Sequence, residues 1–287
     1  MAVYAVTGSA SGMGKATAAR LTAAGHTVIG VDQRDAEIVA DLSTAEGRAS
    51  AAAAVLEVSN GRLDGAVLAA GIGPAPGRER LLGEVNYRGT VDLLRAWRPA
   101  LAASGSAQVV VFSSNSTTTT PLVPGSAVKA LLNDDVNKAA AIVSRLFRGN
   151  APGIMYGTSK TALSRWLRRE SVTDDWAGAG IRLNAIAPGA ILTPLLQSQL
   201  DDPALAPAIQ AFPIPLGSFG DAEKIAQWVE FMLSPAADFM TGSIVFVDGG
   251  TDAYFRSDDW PKPVPLAGLS RYLRLTKQFA AKKVGKA

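Results

Sequence analysis

The chain has 287 residues, 48% of them apolar and 18% charged, with a formal net charge of +3. It has no cysteine and a single histidine, His26, which excludes disulfides, thiolate metal sites, cysteine nucleophiles and any centre built on several histidines. The charge is unevenly placed: residues 251–287 hold eight Lys/Arg against three Asp/Glu and residues 1–250 hold 20 against 22, so no basic face for nucleic acid extends over the fold.

The first residues run straight into a strand-like segment, with no basic stretch ahead of a long apolar one, and this reads as the absence of a secretory leader. No apolar stretch approaches the roughly 18 residues of a membrane span. A cytoplasmic location is expected. Continuous apolar runs at 3–6, 27–31, 37–40, 66–69, 108–112, 181–186 and 244–247 read as seven strands buried on both faces of a parallel sheet. The Ala-rich stretches between them, such as 15–24 and 44–58, suit helices. Strand–helix alternation implies right-handed crossovers and one doubly wound, Rossmann-type α/β domain over about residues 1–250.

Residues 115–153 break that rhythm, with a Thr run at 117–120 and a helix-like part at 136–147, and read as an insertion. Residues 251–287 read as a basic extension and not a separate domain, helical from about Leu266. Leu266, Leu269, Leu273 and Lys277 recur there at helical spacing. A basic amphipathic helix of this kind either lies on a membrane surface or packs on its own domain or a partner subunit, and the packing role is favoured. The last seven residues, 281–287, read as frayed.

The first βα junction is Thr7-Gly8-Ser9-Ala10-Ser11-Gly12-Met13-Gly14. Its glycines allow a tight turn and close backbone approach to a pyrophosphate, which the following helix meets with its N-terminal amides. A phosphate-loop NTPase does not fit: Gly14-Lys15 is followed by Ala16 where Ser or Thr should hold magnesium. Asp32 ends the second strand, 18 residues after Gly14. A carboxylate there accepts from ribose hydroxyls and repels a 2′-phosphate, so NAD(H) is expected over NADP, with Arg34 nearby to soften that repulsion.

Tyr156-Gly157-Thr158-Ser159-Lys160 places a phenol and an ammonium at i and i+4. On a helix both lie on one face. A lysine beside a phenol favours the phenolate, so Tyr156 is expected to have a lowered pKa and to act as a general acid or base.

Together these pieces resemble the short-chain dehydrogenase/reductase family. They occur in family order: the 7–14 turn, Asp32, Asp41-Leu42, Ala69-Ala70-Gly71, Asn86, Ser113-Ser114, Tyr156 with Lys160, Pro188-Gly189, Thr193 and Asp248-Gly249-Gly250, over roughly residues 3–250. The resemblance implies that Tyr156 exchanges the proton with the substrate oxygen and that Ser114 hydrogen-bonds that oxygen, with Ser113 its nearest competitor. It implies that Lys160 binds the nicotinamide ribose and that Asn86 holds a water extending the proton relay. It places Gly8, Ser11, Gly12, Met13, Gly14, Asp32, Gln33, Asp41, Leu42, Ala70, Gly71, Pro188, Gly189, Ile191 and Thr193 around the dinucleotide. Asn86 and Thr193 also read as helix-capping residues.

Two departures stand out. Ala69 replaces the family's usual Asn, and 42 positions separate Ser114 from Tyr156, which sets the insertion between two catalytic elements. With the 34–37 and 41–48 segments, that insertion resembles the bacterial branch of hydroxysteroid dehydrogenases and carbonyl reductases. The branch implies NAD(H), ketone substrates that are steroidal or smaller, and a homodimer or homotetramer whose interface departs from the usual helix pairing. Stretches 72–80, 115–153 and 192–216 are expected on the substrate side, and Leu192, Leu195 and Leu196 make an apolar alcohol or ketone the expected substrate. An aryl or cyclic alcohol is the alternative substrate. A catalytically silent NAD(H)-binding regulator is the alternative of another class, and the intact Asn86, Ser114, Tyr156 and Lys160 speak against it. Enoyl reduction is disfavoured by the Tyr–Lys spacing.

Overall fold

The computed structural model describes residues 1–203, 205–260 and 263–284, which fall into two compact units, Met1–Asp252 and Ala253–Ala287. The first unit opens with β1 (Val3–Thr7), α1 (Gly12–Ala23), β2 (Thr27–Asp32), β3 (Ile38–Val39), α2 (Ala45–Val58) and β4 (Gly65–Leu68). A five-residue α3 (Glu79–Gly83) runs through a π-helical turn at Glu84–Arg88 into α4 (Gly89–Ala102) and then β5 (Gln108–Phe112). Next come α5 (Ser116–Thr119), α6 (Gly125–Leu132), α7 (Val136–Leu146), the 20-residue α8 (Ala151–Glu170) and β6 (Arg182–Pro188). The remainder is β7 (Ile191–Leu192), α9 (Pro194–Leu200), α10 (Ala206–Gln210), β8 (Gly220–Asp221), α11 (Ala222–Leu233), β9 (Ile244–Val247) and α12 (Thr251–Phe255). In the second unit α13 spans Leu269–Val284, and Gly285, Lys286 and Ala287 of the expected frayed end lie outside the described residues.

The seven-stranded sheet is parallel throughout, in the order β3-β2-β1-β4-β5-β6-β9. The apolar runs are continuous because successive residues feed two cores. Ala5, Ile29, Val31, Ala66, Leu68, Val109 and Val111 face α2, α4 and α8, while Tyr4, Val6, Val67, Val110, Phe112 and Ile186 face α1 and α11. The direction of winding reverses between β1 and β4, where Thr7 is in register with Val31 on one side and Leu68 on the other. Ligands bind at this switch point in open α/β sheets. The register brings the glycine-rich turn and Ala69-Ala70-Gly71 to one edge. A second, two-stranded sheet of β7 and β8 was not visible as apolar runs, because each strand is two residues long.

The insertion is helical. Its α6 buries Ala127, Val128, Ala130 and Leu131, and its α7 buries Val136, Ala139, Ala140 and Val143. Both join the core that faces α4 and α8. A Cβ on Gly83 would lie 2.6 Å from Val136 Cγ1 and 3.1 Å from Met155 Cε, so glycine at that point lets the insertion close on α3 and α8. Asp134, between α6 and α7, pairs with Arg88 and Arg95 at 3.3 and 2.9 Å. Of the stretch expected on the substrate side, α6 and α7 therefore build core instead.

Candidate active site

β1 delivers the glycine-rich turn to the carboxyl edge of the sheet. Gly8 and Gly12 have φ of +71° and +53°, the left-handed region that glycine enters without a side-chain clash. A Cβ on Gly14 would land on the Gly8 carbonyl, and one on Gly8 would lie 2.8 Å from the Ala70 nitrogen. That Ala70 N–H donates to Thr7 Oγ1 at 3.1 Å, which ties β1 to the start of the β4 loop. Ser11 opens α1 without a side-chain cap and no acidic residue stands in the first turn. The leading amides of α1 are left for an external anion.

Asp32 braces the same turn: its Oδ2 accepts from Ala10 N–H at 2.9 Å and its Oδ1 from Gln33 N–H at 2.7 Å. Gly8, Ser11, Gly12, Met13, Gly14, Asp32, Gln33, Leu42, Ala70, Gly71 and Thr193 line one cleft of about 570 Å³. Glycine backbone, free helix amides and a carboxylate at the strand end fit a dinucleotide's pyrophosphate and ribose. The exposed Asp41 is occupied otherwise: its carboxylate accepts from Ser43 N–H at 2.9 Å, and that bond, with help from Gln33, holds its pKa below the usual carboxylate range.

The segment after β6 closes over the turn. Thr193 Oγ1 accepts from Leu196 N–H at 3.3 Å and so caps α9, while its Cγ2 would stand 3.3 Å from a Cβ on Gly12. A Cβ on Gly189 would lie 2.7 Å from Asp248 Cα, which presses the Pro188-Gly189 turn onto the loop after β9. The Asp248 carboxylate holds that loop by accepting from Gly250 and Asp252 N–H at 3.0 and 2.7 Å. Ile191 is buried and packs into the core under α1 and α11, so its side chain is spent on packing. Leu195 joins the cleft lining; Leu192 and Leu195 are each 49% exposed and Leu196 is half-buried.

Ser113 and Ser114 follow β5 and point to different partners. Ser113 Oγ sits 2.7 Å from Ser164 Oγ of α8. Ser114 Oγ accepts from Ser116 N–H at 3.1 Å and lies near enough to the Tyr156 phenol to lower its pKa. Tyr156 and Lys160 are one turn apart on α8. Gly157 between them admits Thr120, whose Oγ1 would be 2.7 Å from a Cβ there.

The electrostatics differ from the expected lowering of the Tyr156 pKa. Burial pushes the phenol up, and the Ser114 hydrogen bond opposes this only in part. Lys160 does not supply the lowering because it is engaged elsewhere. Its Nζ donates to the Phe112 carbonyl at 2.7 Å, and burial brings its own pKa down to about 8.

Asn86 lies fully buried in the π-helical turn. Its Oδ1 accepts from Ile72 N–H at 2.8 Å and its Nδ2 donates to the Ile72 carbonyl at 3.0 Å. The side chain thus fixes the loop after β4. A Cβ on Gly71 would meet Asn86 Oδ1 at 3.2 Å and Lys160 Nζ at 3.7 Å, which brings the amide and the ammonium together under that loop. π-turns of this kind are frequent at functional sites. The site also uses residues that sequence reasoning passed over. Ile72 and Ser116 act through main-chain contacts, which leave no mark in residue type. Arg48 carried one signal, a charge on the otherwise small, apolar face of α2. Among the described residues no group of His, Asp or Glu could hold a metal, and no helix is long and apolar enough to cross a membrane.

Residues 4–184 match the model of the NAD dependent epimerase/dehydratase family, and residues 136–252 match that of the enoyl-(acyl carrier protein) reductases. The chain is 40% identical over 260 residues to 3-alpha-hydroxysteroid dehydrogenase/carbonyl reductase of Comamonas testosteroni, covering 89% of this chain and 98% of that one. The 3-alpha-hydroxysteroid dehydrogenase of Pseudomonas sp. B-0831, solved in complex with NADH, superposes with a TM-score of 0.83 at 41% identity, over 89% of this chain and 99% of its own. A short-chain type dehydrogenase/reductase from Mycobacterium ulcerans superposes with a TM-score of 0.66 at 27% identity, over 88% and 90% of the two chains.

Proposed function

The chain belongs to the short-chain dehydrogenase/reductase family, and from that premise we propose that it interconverts a hydrophobic secondary alcohol and its ketone with NAD(H), on a hydroxysteroid or a similar carbonyl compound. The observation that carries this reading is the convergence of Ser114, at the end of β5, with Tyr156 and Lys160, one turn apart on α8, where the Lys160 ammonium is tied to the Phe112 carbonyl at the end of β5. When bound, the nicotinamide supplies the hydride in reduction and accepts it in oxidation.

The chain's residues supply the proton and the positioning. In reduction the Tyr156 hydroxyl gives its proton to the carbonyl oxygen as that oxygen gains charge. Ser114 donates to the same oxygen, held in place because its Oγ accepts from Ser116 N–H. Lys160, released from Phe112 towards the ribose, stabilises the tyrosinate left behind, and the Asn86 turn carries the relay that restores its proton. Asp32 meets the adenosine ribose and the α1 amides meet the pyrophosphate. Residues 1–250 act as the catalytic domain, with 251–287 as an extension of it. An assembly of two or four copies and a cytoplasmic location belong to the same reading.

The test is a panel of 3-keto and 3-hydroxy steroids, aryl ketones, cyclic ketones and benzylic alcohols, followed by NADH absorbance. Steroid turnover well above the rest supports the substrate class. Turnover confined to small or aromatic compounds keeps the chemistry and discards the steroid. No turnover alongside tight NADH binding overturns the enzymatic reading.

A further inference from the structure

The 28 residues from Trp260 onward contain no Asp or Glu, while Lys262, Arg271, Arg274, Lys277, Lys282, Lys283 and Lys286 are cationic. Helix α13 sorts this segment by face. At roughly 100° per residue, Leu269, Tyr272, Leu273, Leu275 and Phe279 share one arc, and Ser270, Arg271, Arg274, Lys277 and Gln278 share the opposite one. The apolar arc is open: Leu273 is 51% exposed and Phe279 67%. Ahead of the helix, the described residues of its own unit contribute the end of α12 and one 3₁₀ turn, Leu266–Gly268, both too short to cover 16 residues of helix.

Charge decides between occupants of this face. A second copy of α13 would bring five like charges against five. The unit Met1–Asp252 has 20 Lys/Arg against 23 Asp/Glu, a net charge of −3 for seven cations and no carboxylate side chain from Trp260 onward. Nucleic acid would match the cations and leave Leu269, Leu273 and Phe279 in water. An anionic bilayer surface matches both arcs. Sixteen residues are too few to span it, and a helix with separated apolar and cationic faces and aromatic residues on the apolar one lies in the interfacial plane.

We propose that α13 is an interfacial anchor for anionic phospholipid, with Leu269, Tyr272, Leu273 and Phe279 seated among the acyl chains and Arg271, Arg274 and Lys277 against the phosphates. Polybasic amphipathic helices bind such surfaces through opposite charge, and the attraction weakens with salt.

The experiment is co-sedimentation of the full chain with vesicles of phosphatidylcholine alone and of an equal mixture with phosphatidylglycerol. Binding to the anionic vesicles is expected to exceed that to the neutral ones by at least about tenfold and to fall as salt is raised. Leu273→Glu with Phe279→Glu, and separately Arg271→Glu with Arg274→Glu, should each abolish it. Both variants should keep wild-type NADH binding and wild-type mass by light scattering. Equal binding to neutral and anionic vesicles, or none to either, overturns the proposal. A lower mass in the Leu273/Phe279 variant without vesicle binding by the wild type makes the face an interface between copies. Retention on duplex DNA without vesicle binding assigns the cations to nucleic acid.

Discussion

Lys160 Nζ donates to the main-chain carbonyl of Phe112 at 2.7 Å, so the helix that carries Tyr156 is tied to the strand that leads into Ser114. Burial at this junction brings the ammonium pKa down to about 8 from 10.5 in an open chain. Between those values the unfolded chain holds a proton that the folded chain has released. Stability therefore rises with pH across this interval, by no more than roughly 3 kcal/mol in all. Tyr156 is displaced upward, and its opposing effect begins only above its ordinary 10.0. Urea unfolding at pH 8, 9 and 10 should show wild type gaining on Lys160→Met. Parallel stability curves for the two proteins would refute a buried, proton-shedding Lys160.

The placement of Ser114 beside Tyr156 predicts two distinguishable losses. Tyr156→Phe should bind NADH as wild type does while kcat falls by about 10²–10⁴-fold, the usual worth of a positioned proton donor. Ser114→Ala should lose about 10²–10³-fold in kcat. It should also shift the alkaline rise of the oxidation rate to higher pH, because the bond it removes lowers the Tyr156 pKa. Steady-state pH profiles in the oxidative direction check this; an unmoved profile in Ser114→Ala would show that the bond does not tune the phenol.

How much of this was legible in sequence depends on whether a side chain or a backbone carries the contact. Tyr156 and Lys160 declared themselves because i and i+4 on a helix fix a shared face. Gly8 and Gly14 did so because nothing larger fits against Ala70 and the Gly8 carbonyl, and Gly12 because its φ of +53° suits glycine. The seven strands were legible because residues facing two cores must be apolar at every position. Phe112 as the partner of Lys160, and Ile72 as the partner of Asn86, were not, since both act through main-chain atoms brought close only by the sheet register and the π-turn. The direction of the Ile191 side chain was also hidden, because an apolar residue suits a cofactor cleft and a core equally well.

Asp32 does two jobs, and a substitution should separate them. Asp32→Ser should raise kcat/KM with NADP relative to NAD by about tenfold or more, the equivalent of ~1.4 kcal/mol of relieved repulsion. The same change removes the carboxylate that accepts from Ala10 and Gln33 N–H, so the melting temperature should drop. Adding saturating NAD should recover only part of that drop. An unchanged cofactor ratio would mean that discrimination lies elsewhere on the cleft wall.

Arg48 connects the adenosine end of the cleft to the Asn86 turn, and this yields the most demanding prediction. It is only 6% exposed. Its Nη1 donates to the Leu42 carbonyl at 3.0 Å and to Glu84 Oε2 at 3.2 Å. Its Nε lies 2.8 Å from Asp92 Oδ2, an ion contact at an angle too poor for a hydrogen bond. Glu84 opens the π-turn that holds Asn86, and Leu42 lines the cleft. Arg48→Met takes the buried cation from Glu84 and Asp92, which keep Arg80 at 3.3 Å and Arg88 at 3.0 Å, and should cost about 1–3 kcal/mol of stability. Arg48→Lys keeps the charge but loses the planar fork that reaches both Leu42 and Glu84. It should fold close to wild type, bind NADH more weakly and lose kcat as well, because the Asn86 turn is held from the same residue. Pairing Arg48→Met with Glu84→Gln should restore part of the lost stability, since Glu84 then no longer holds a part-buried charge against Arg80 alone. Urea titrations and NADH fluorescence titrations of the three variants decide the matter: strictly additive effects, or a lysine variant with wild-type NADH affinity and kcat, would reduce Arg48 to a surface-independent packing ion pair with no part in joining the two halves of the site.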